Sequence, residues 1–552
     1  MEVSARTPAT PLEAPASVPA VAVVVPARDE EERIGACLDA LAQQDGLRPE
    51  EYEVIVVLDA CADGTAAEVA AAVDRWPSMR LRTISGPGRG AGPARAAGMD
   101  LACALLDSAA AGHGLLASTD ADTVVAPDWL RRQLEAIEGG AEAVGGEITL
   151  DPSEVPALPP EVLERRSLEI AERIRGAARR GPAEHAHFSG ASLGITPSAY
   201  RRVGGMGRLA ALEDQELEDR LADAGIAIHR PRSVRVTTAA RTDGRAERGL
   251  ARDLELGRWL ATRRYRAADF GLDELLAAKS GPIVAILPAR ECAATIGPTI
   301  EALSPLRQAG LLDRLLVVDA ESADHTGEIA ATLGAEVLSE SSLCAELGPC
   351  RGKGDAMWRA AIEAEAEVLV FLDADSRDFR ADFLTGLLGP LLLESGVDLA
   401  KGTFERPLSL GASVREGEGG RVTELVARPL LNLHFPALAG FAQPLAGEIA
   451  IRRDLFARMP VPVGYGVEIA MMIDALRLVG LDALAEVDLG TRQNSHQELR
   501  ALSSMAAEVM VAVERRIGAP PRPDSPSFRP RPEPSRAEVW RLRCEERPPF
   551  RV

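Results

Sequence analysis

The sequence predicts an α/β protein made of two tandem copies of one domain, each built on a mainly parallel sheet. Three observations carry this. Short β-branched runs alternate with amphipathic helical patterns, and the runs are apolar end to end, as in strands buried on both faces. The same four landmarks occur twice, in one order, at a nearly constant spacing of about 260 residues. Each landmark also lies where a strand ends, which is where open α/β sheets bind ligands.

The first landmark is a strand ending in Pro-Ala-Arg. Val21–Val25 leads into Pro26-Ala27-Arg28-Asp29-Glu30, and Ile283–Leu287 leads into Pro288-Ala289-Arg290-Glu291. A helical pattern follows each, with Ile34, Leu38 and Leu41 in the first copy and Ile296, Ile300 and Leu303 in the second. The second landmark is a strand that ends in an acid and a turn: Val54–Asp59 before Cys61-Ala62-Asp63-Gly64-Thr65, then Leu315–Asp319 before Ser322-Ala323-Asp324-His325-Thr326. The third is a glycine/arginine loop opening a helix, Gly88-Arg89-Gly90-Ala91-Gly92-Pro93-Ala94-Arg95 and Arg351-Gly352-Lys353-Gly354-Asp355. The fourth is an apolar run into Asp-Ala-Asp, Leu115–Asp122 and Val368–Asp375. On this reading residues 1–19 are a flexible leader and 20–265 the first domain. Residues 266–281 are a linker, 282–517 the second domain, and 518–552 a Pro/Arg-rich tail without a core.

Composition excludes several classes. The chain has 552 residues, 46% hydrophobic and 26% charged, which is globular rather than disordered. Its formal charge of −21 repels a phosphodiester backbone, so no nucleic-acid partner is expected. The longest apolar runs, such as Pro282–Pro288, fall far short of the ~20 residues of a spanning helix. Seven scattered cysteines make no disulfide framework, and the N-terminus lacks the pattern of a secretory signal, so a cytoplasmic protein is expected. Only Lys279, Lys353 and Lys401 are lysines; every other basic residue is arginine, which marks a retained lysine as a chosen point charge.

Two carboxylates two residues apart on a strand-end turn, Asp120/Asp122 and Asp373/Asp375, suit a hard divalent cation such as Mg2+ or Mn2+ together with a phosphate-bearing substrate. A lone D-x-D is usually a solvated turn. Here it occurs twice, each time downstream of another strand-end acid.

The order of landmarks in the first copy resembles the nucleotide-sugar-binding half of family 2 glycosyltransferases of the GT-A fold, a Rossmann-like nucleotide-diphospho-sugar transferase fold. The resemblance implies a donor site at Pro26, Asp29, Asp59 and Asp120, with Asp122 on the metal. It continues through Phe188-Ser189-Gly190-Ala191-Ser192 and Glu213-Asp214-Gln215-Glu216-Leu217, and implies an inverting enzyme with Asp214 as general base. The alternative for Asp214 is an acid favoured by a helix N-terminus. His185 and His187 have no third ligand at metal spacing and read as packing or acceptor-pocket residues.

The second copy resembles a narrower family. The segment from Gly420 to Leu431, GRVTELVARPLL, with Gly352-Lys353-Gly354, Lys401, Gln443–Glu448, Gly464–Ile469 and Val487–Arg492, is similar to glucosyl-3-phosphoglycerate synthases. This implies retaining transfer of glucose from a nucleoside-diphosphate sugar to 3-phosphoglycerate. It also implies donor contacts at Pro288, Glu291, Asp319, Lys353 and Asp373, and metal on Asp375. Gly420, Arg421, Thr423 and Arg492 are implied for the acceptor, and Glu468 for the reaction centre. The chain departs from that family in three places. Glu291 is the one acid left at the end of the first strand, the second-strand turn Asp319-Ala320-Glu321-Ser322 lacks its glycine, and Asn494 stands where a metal-binding histidine is expected. His496, two residues on, is either the replacement ligand or a surface histidine. A homodimer is compatible with the sequence. Two other readings stay open. One copy could bind nucleotide sugar without transferring it. A sugar-1-phosphate nucleotidyltransferase would share the nucleotide fold, but carries its glycine-rich motif directly after the first strand, where this chain has PARDEE and PAREC.

Overall fold

The apolar runs become strands because they bury on both faces. β1 (Val21–Ala27) is buried along its whole length. The computed structural model describes residues 21–551 apart from 109–113, 180–182, 210–211, 243, 245–247, 406–407, 411–412, 416–419, 493–498 and 531–536. The leader at 1–19 lies outside the described residues. The chain divides into two units, Met1–Arg258 and Trp259–Val552.

The first unit begins β1, α1 (Ile34–Ala42), β2 (Tyr52–Leu58), α2 (Thr65–Arg75), β3 (Arg80–Ser85), α3 (Ala91–Ser108). It continues β4 (Leu115–Ser118), β5 (Thr123–Val125), α4 (Trp129–Glu138), β6 (Ala143–Gly145), β7 (Glu147–Leu150), α5 (Pro160–Ala177). It closes with β8 (Leu193–Ile195), α6 (Pro197–Arg202), α7 (Glu213–Asp223), β9 (Ile228–His229) and β10 (Arg235–Thr238), and α8 (Leu250–Thr262) carries the chain across the division between the units. Seven strands make one sheet, in the order β3-β2-β1-β4-β8-β6-β9. All neighbours are parallel except β8, which runs against both β4 and β6. A small sheet, β5-β10-β7, extends the pairing of β6 with β9 beyond the main sheet.

The second unit starts β11 (Arg264–Arg266), α9 (Leu272–Ala278), β12 (Ile283–Ala289), α10 (Ala293–Gln308), β13 (Arg314–Asp319), α11 (Thr326–Thr332), β14 (Glu336–Ser339). Next come α12 (Lys353–Glu363), β15 (Val368–Phe371), α13 (Ala381–Leu393), β16 (Leu399–Glu405) and a hairpin of β17 (Leu408–Leu410) and β18 (Ser413–Arg415). Then follow α14 (Arg428–His434), β19 (Ile449–Arg452), α15 (Arg453–Ala457), β20 (Val461–Pro462), α16 (Val467–Val479) and β21 (Leu484–Thr491). The chain ends with α17 (Leu499–Arg516), β22 (Ser525–Pro530), β23 (Ala537–Leu542) and β24 (Glu546–Arg547). Its eight-stranded sheet runs β14-β13-β12-β15-β19-β16-β21-β11. That is the first unit's order with one more strand at the edge, and β19 is the antiparallel member, as β8 is in the first. Both sheets are therefore mixed, with three parallel strand pairs before the reversal. No helix among the described residues is long and apolar enough to cross a membrane.

Two boundaries differ from those expected. The stretch read as a linker belongs to the second unit. β11 pairs with β21, and the ring of Phe270 lies where a side chain on Gly389 of α13 would project. Ahead of that stretch, at the point where the second unit begins rather than within the first domain expected to run to 265, Trp259 is fully buried. It donates to the Leu484 carbonyl at 2.6 Å and lies tilted against the Phe441 ring at 4.4 Å. Polar, arginine-rich spacing hid this, because the anchoring contacts are made by isolated aromatics. The segment read as a coreless tail is likewise structured. β22 and β23 form a hairpin, and β24 pairs with β20. Removing the Trp259 side chain leaves a cavity and an unpaired carbonyl, so Trp259→Ala should destabilise the second unit by about 3–5 kcal/mol. Calorimetry should show a lower midpoint for one transition; an unchanged thermogram would mean that Trp259 does not anchor the start of the second unit.

Candidate active sites

Both units build the same turns at the ends of their first two strands. In the first, Asp29 at φ 53° accepts the Ala62 N–H at 2.6 Å, and Thr65 Oγ1 accepts the Glu30 N–H at 2.6 Å while bonding Asp63. In the second, Glu291 at φ 53° accepts the Ala323 N–H at 2.9 Å, and Thr326 Oγ1 accepts the Cys292 N–H at 2.8 Å while bonding Asp324. Asp29 and Glu291 thus share one position and one job, clamping the loop after the second strand. That use of their carboxylates differs from the donor contact expected of them.

The strand-end aspartates are not equivalent, contrary to the expected match of Asp59 with Asp319. Ala27 pairs with Leu58, whereas Ala289 pairs with Asp319, so Asp59 lies one residue beyond the place Asp319 occupies. A shift of one residue turns a side chain to the other face. Asp59 accepts the Gly88 and Gly90 N–H groups at 2.6 and 2.9 Å and so grips the glycine/arginine loop. Asp319 instead accepts from the Ser322 hydroxyl at 2.7 Å, capping its own turn.

In the first unit a cleft of about 1080 Å³ opens over these ends. Pro26, Asp59, Asp120, Asp122, His187 and Asp214 line it, and Asp29 does not. Its centre is a cation that the sequence reading missed. Arg95, in the second turn of α3, donates to Asp120 at 2.6 Å, Glu213 at 3.1 Å, the Ser118 hydroxyl at 2.7 Å and the Gly190 carbonyl at 3.1 Å. Burial opposes its charge, but Asp120 and Glu213 outweigh that and raise its pKa above the ordinary arginine value. Asp122 meets Arg241 at 2.9 Å, and Arg241 also holds the buried Glu30 through two bonds of 2.7 and 3.0 Å. Burial first, then the Asp120 charge, push the Asp122 carboxyl up to about 6. Asp214 opens α7 beside Glu213 and accepts the Gly190 N–H at 3.1 Å. His185 and His187 are buried, which pushes their pKa values down to about 4 and 3. His187 Nδ1 accepts the Ile148 N–H at 3.1 Å, and the two rings lie 5.6 Å apart.

The second unit repeats the ion bridge with a different cation. Lys353, the first residue of α12, donates to Asp373 at 2.6 Å and to Glu468 of α16 at 2.7 Å. Burial again opposes the charge, and the two carboxylates outweigh it and raise its pKa. Arg492, just past β21, is fully buried and lies 4.9 Å over the Phe404 ring. It is ion-paired with Glu448 and stands 3.6 Å from Asp373 and 3.4 Å from Asp375. It takes the place after the strand that Arg241 takes in the first unit. Lys401 is wholly buried in β16 and donates to the Ala446 carbonyl; burial pulls its pKa down to about 8, against the pull of Glu468 and Glu448.

The segment Phe441–Glu448 links this centre to the GRVTELVARPLL run. Arg428 donates to the Ala442 carbonyl at 2.8 Å, Gln443 lies beside Gly420 and Thr423, and Gly447 packs so tightly on Asp373 that a Cβ would fall 2.1 Å from its carboxylate. Gly420 sits at φ 73°, a turn that favours glycine, and Thr423 is buried at the start of a π-type turn that continues into α14. Pro288 is the penultimate residue of β12, paired with Val318 of β13. His496 and Asn494 lie outside the described residues.

The family model for glycosyl transferase family 2 matches residues 22–192 and again 284–404. A glucosyl-3-phosphoglycerate synthase of Mycolicibacterium paratuberculosis is 40% identical over 266 residues, covering 48% of this chain and 80% of that protein. The crystal structure of mannosyl-3-phosphoglycerate synthase from Rubrobacter xylanophilus is 42% identical, with a TM-score of 0.48, over 53% of this chain and 97% of that one. The structure of glucosyl-3-phosphoglycerate synthase from Mycobacterium tuberculosis in complex with Mn2+ and UDP-glucose is 37% identical, with a TM-score of 0.46, over 51% of this chain and 94% of that one. With twice-matched residues, two sheets of one topology and a carboxylate pair just past an interior strand of each, the chain belongs to glycosyl transferase family 2, and about half of it is homologous to glucosyl-3-phosphoglycerate synthases.

Proposed function

We propose that the protein is a tandem glycosyltransferase with a GT-A domain in each unit. The second unit transfers glucose, with retention, from a nucleoside-diphosphate sugar to the 2-hydroxyl of 3-phosphoglycerate. The first is an inverting transferase with its own acceptor. The observation that carries this reading is the ion bridge Lys353–Asp373–Glu468, joined through Phe441–Glu448 to the Gly420–Thr423 turn. Lys353 has three N–H donors and two protein partners, which leaves one for a donor phosphate oxygen. Arg421 and the Thr423 hydroxyl, at a helix start, suit an anionic acceptor. Arg492 is assigned to the acceptor carboxylate or to the orientation of Asp373 and Asp375, and its burial against both carboxylates favours the second role. Seven free thiols accord with a reducing, cytoplasmic setting.

The donor set fits Mg2+ or Mn2+. The Asp375 side chain is 48% exposed and stands beside Asp373 on one turn, and Asp122 beside Asp120 is its counterpart. Such an ion, when bound, offsets charge on the departing diphosphate. The residues of the chain do the rest: Lys353 neutralises phosphate, Gly447 brings backbone close to Asp373, and Glu468 fixes the ammonium.

Three outcomes test this. Asp375→Ala should abolish glucosyl-3-phosphoglycerate formation while leaving the melting profile intact; full activity in that variant, or in excess EDTA, would remove the metal assignment. Asp214→Asn should lower kcat of the first unit by about 10²–10⁴-fold with donor affinity held, as for loss of a general base. A collapse of donor affinity would make Asp214 a binding or structural residue. Arg421→Ala should raise the 3-phosphoglycerate KM by roughly 10–100-fold, since charge-assisted bonds contribute about 1.5–3 kcal/mol. Equal use of glycerate and 3-phosphoglycerate by the intact protein would overturn the acceptor assignment.

A further inference from the structure

We infer that the segment Glu545–Phe550 is a working part of the second unit's donor site, with Arg547 as a positioning residue for Lys353. The inference rests on the donor-site reading of Lys353 given above. Arg547 forks onto Asp355 at 2.7 and 2.9 Å. Asp355 is fully buried two residues after Lys353, and it also takes Arg359 at 3.0 and 3.2 Å and the Arg351 N–H at 3.0 Å. Two guanidinium forks on one buried carboxylate fix the first turn of α12 in three dimensions, because each fork sets a plane.

The backbone of the segment holds the other side of the same bridge. β24 pairs with β20, and the carbonyls after β20 reach α12. Val463 O accepts the Asp355 N–H at 3.1 Å, and a Cβ on Gly354 would lie 1.9 Å from Pro462 O. The same stretch then runs through Gly464-Tyr465-Gly466 to Glu468, the second partner of the Lys353 ammonium. One two-stranded ribbon therefore backs the helix turn that carries Lys353 and leads into the turn that carries Glu468. Pro548 O accepts the Trp358 indole N–H at 2.9 Å, and Phe550 meets the Trp358 ring edge-on at 6.0 Å. These contacts anchor the strap to the body of α12.

The contrast with the first unit says why a strap is needed. Arg95 is tied to four groups through its own planar fork, so its head is fixed where it acts. Lys353 is a flexible stem with two partners, and its head is only as well placed as the helix turn that carries it. Gly352, at φ 148°, sets the entry to that turn, and a side chain there would meet Arg543 at 2.7 Å.

The test uses the full-length protein, the nucleoside-diphosphate glucose that the wild type turns over, and 3-phosphoglycerate. Arg547→Ala should raise the donor KM about tenfold or more, as for loss of a charged hydrogen-bond pair, and leave the 3-phosphoglycerate KM unchanged. Arg547→Lys keeps the charge without the fork and should fall between. Millimolar guanidinium should restore the donor KM of Arg547→Ala, which a general loss of fold would not allow. An unchanged donor KM in Arg547→Ala, alongside a raised one in Lys353→Ala, would overturn the strap and leave the donor site standing. So would a loss of activity that guanidinium does not rescue. An unchanged donor KM in Lys353→Ala would instead overturn the donor-site reading, and this inference with it.

Discussion

A cation set between a partly exposed strand-end aspartate and a buried glutamate is the constraint on which the rest of this chain depends. Strand-end aspartates and helix-opening glutamates converge over the ends of the strands, where desolvation and like-charge repulsion would drive them apart or protonate them. Arg95 in the first unit and Lys353 in the second hold Asp120 to Glu213 and Asp373 to Glu468. The glycines around them follow from that need. Gly447 and Gly354 have no Cβ because backbone must close on the bridge from both sides.

The two units share a scaffold and differ in the groups placed at its strand ends. The two sheets share strand order and the position of the reversed strand, and the turn clamps Asp63/Thr65 and Asp324/Thr326 are the same device. What moved is small in sequence and large in space. The bridging cation shifts from the second turn of α3 to the first residue of α12. A one-residue change of register takes Asp59 toward the glycine loop and leaves Asp319 on its own turn. The fork of Arg95 is self-locating, whereas Lys353 draws on neighbouring backbone, so the second unit leans on segments that the first does without.

Much of this architecture was legible beforehand. Continuous apolar runs named the strands, and their recurrence named the two copies. The D-x-D turns follow apolar strands, Asp214 lines the first unit's cleft, and Lys353 and Glu468 meet in one ion bridge. Arg95, Glu213 and Glu30 stood in motifs without a role, and Arg241 in none, because their partners lie far off in sequence: 118 residues separate Arg95 from Glu213 and 211 separate Glu30 from Arg241. Glu30 adjoins Asp29, and the adjacent acid was the better signal for the cleft. The supposed linker and tail were misjudged for one reason. Their anchors are single residues, Phe270, Arg547 and Phe550, and a single contact leaves no periodic trace.

Local physical chemistry, carried by sequence alone, determined the strands, the turn chemistry, the duplicated order and the carboxylate pairs, because each depends on residues a few places apart. Only tertiary structure decided which cation bridges which acids, which face Asp59 and Asp319 present, and that the last strand backs the first turn of α12. Those outcomes depend on register and on burial of charge. Both are set when distant segments pack, since a side chain's partner is chosen by the low-dielectric space it is forced to share.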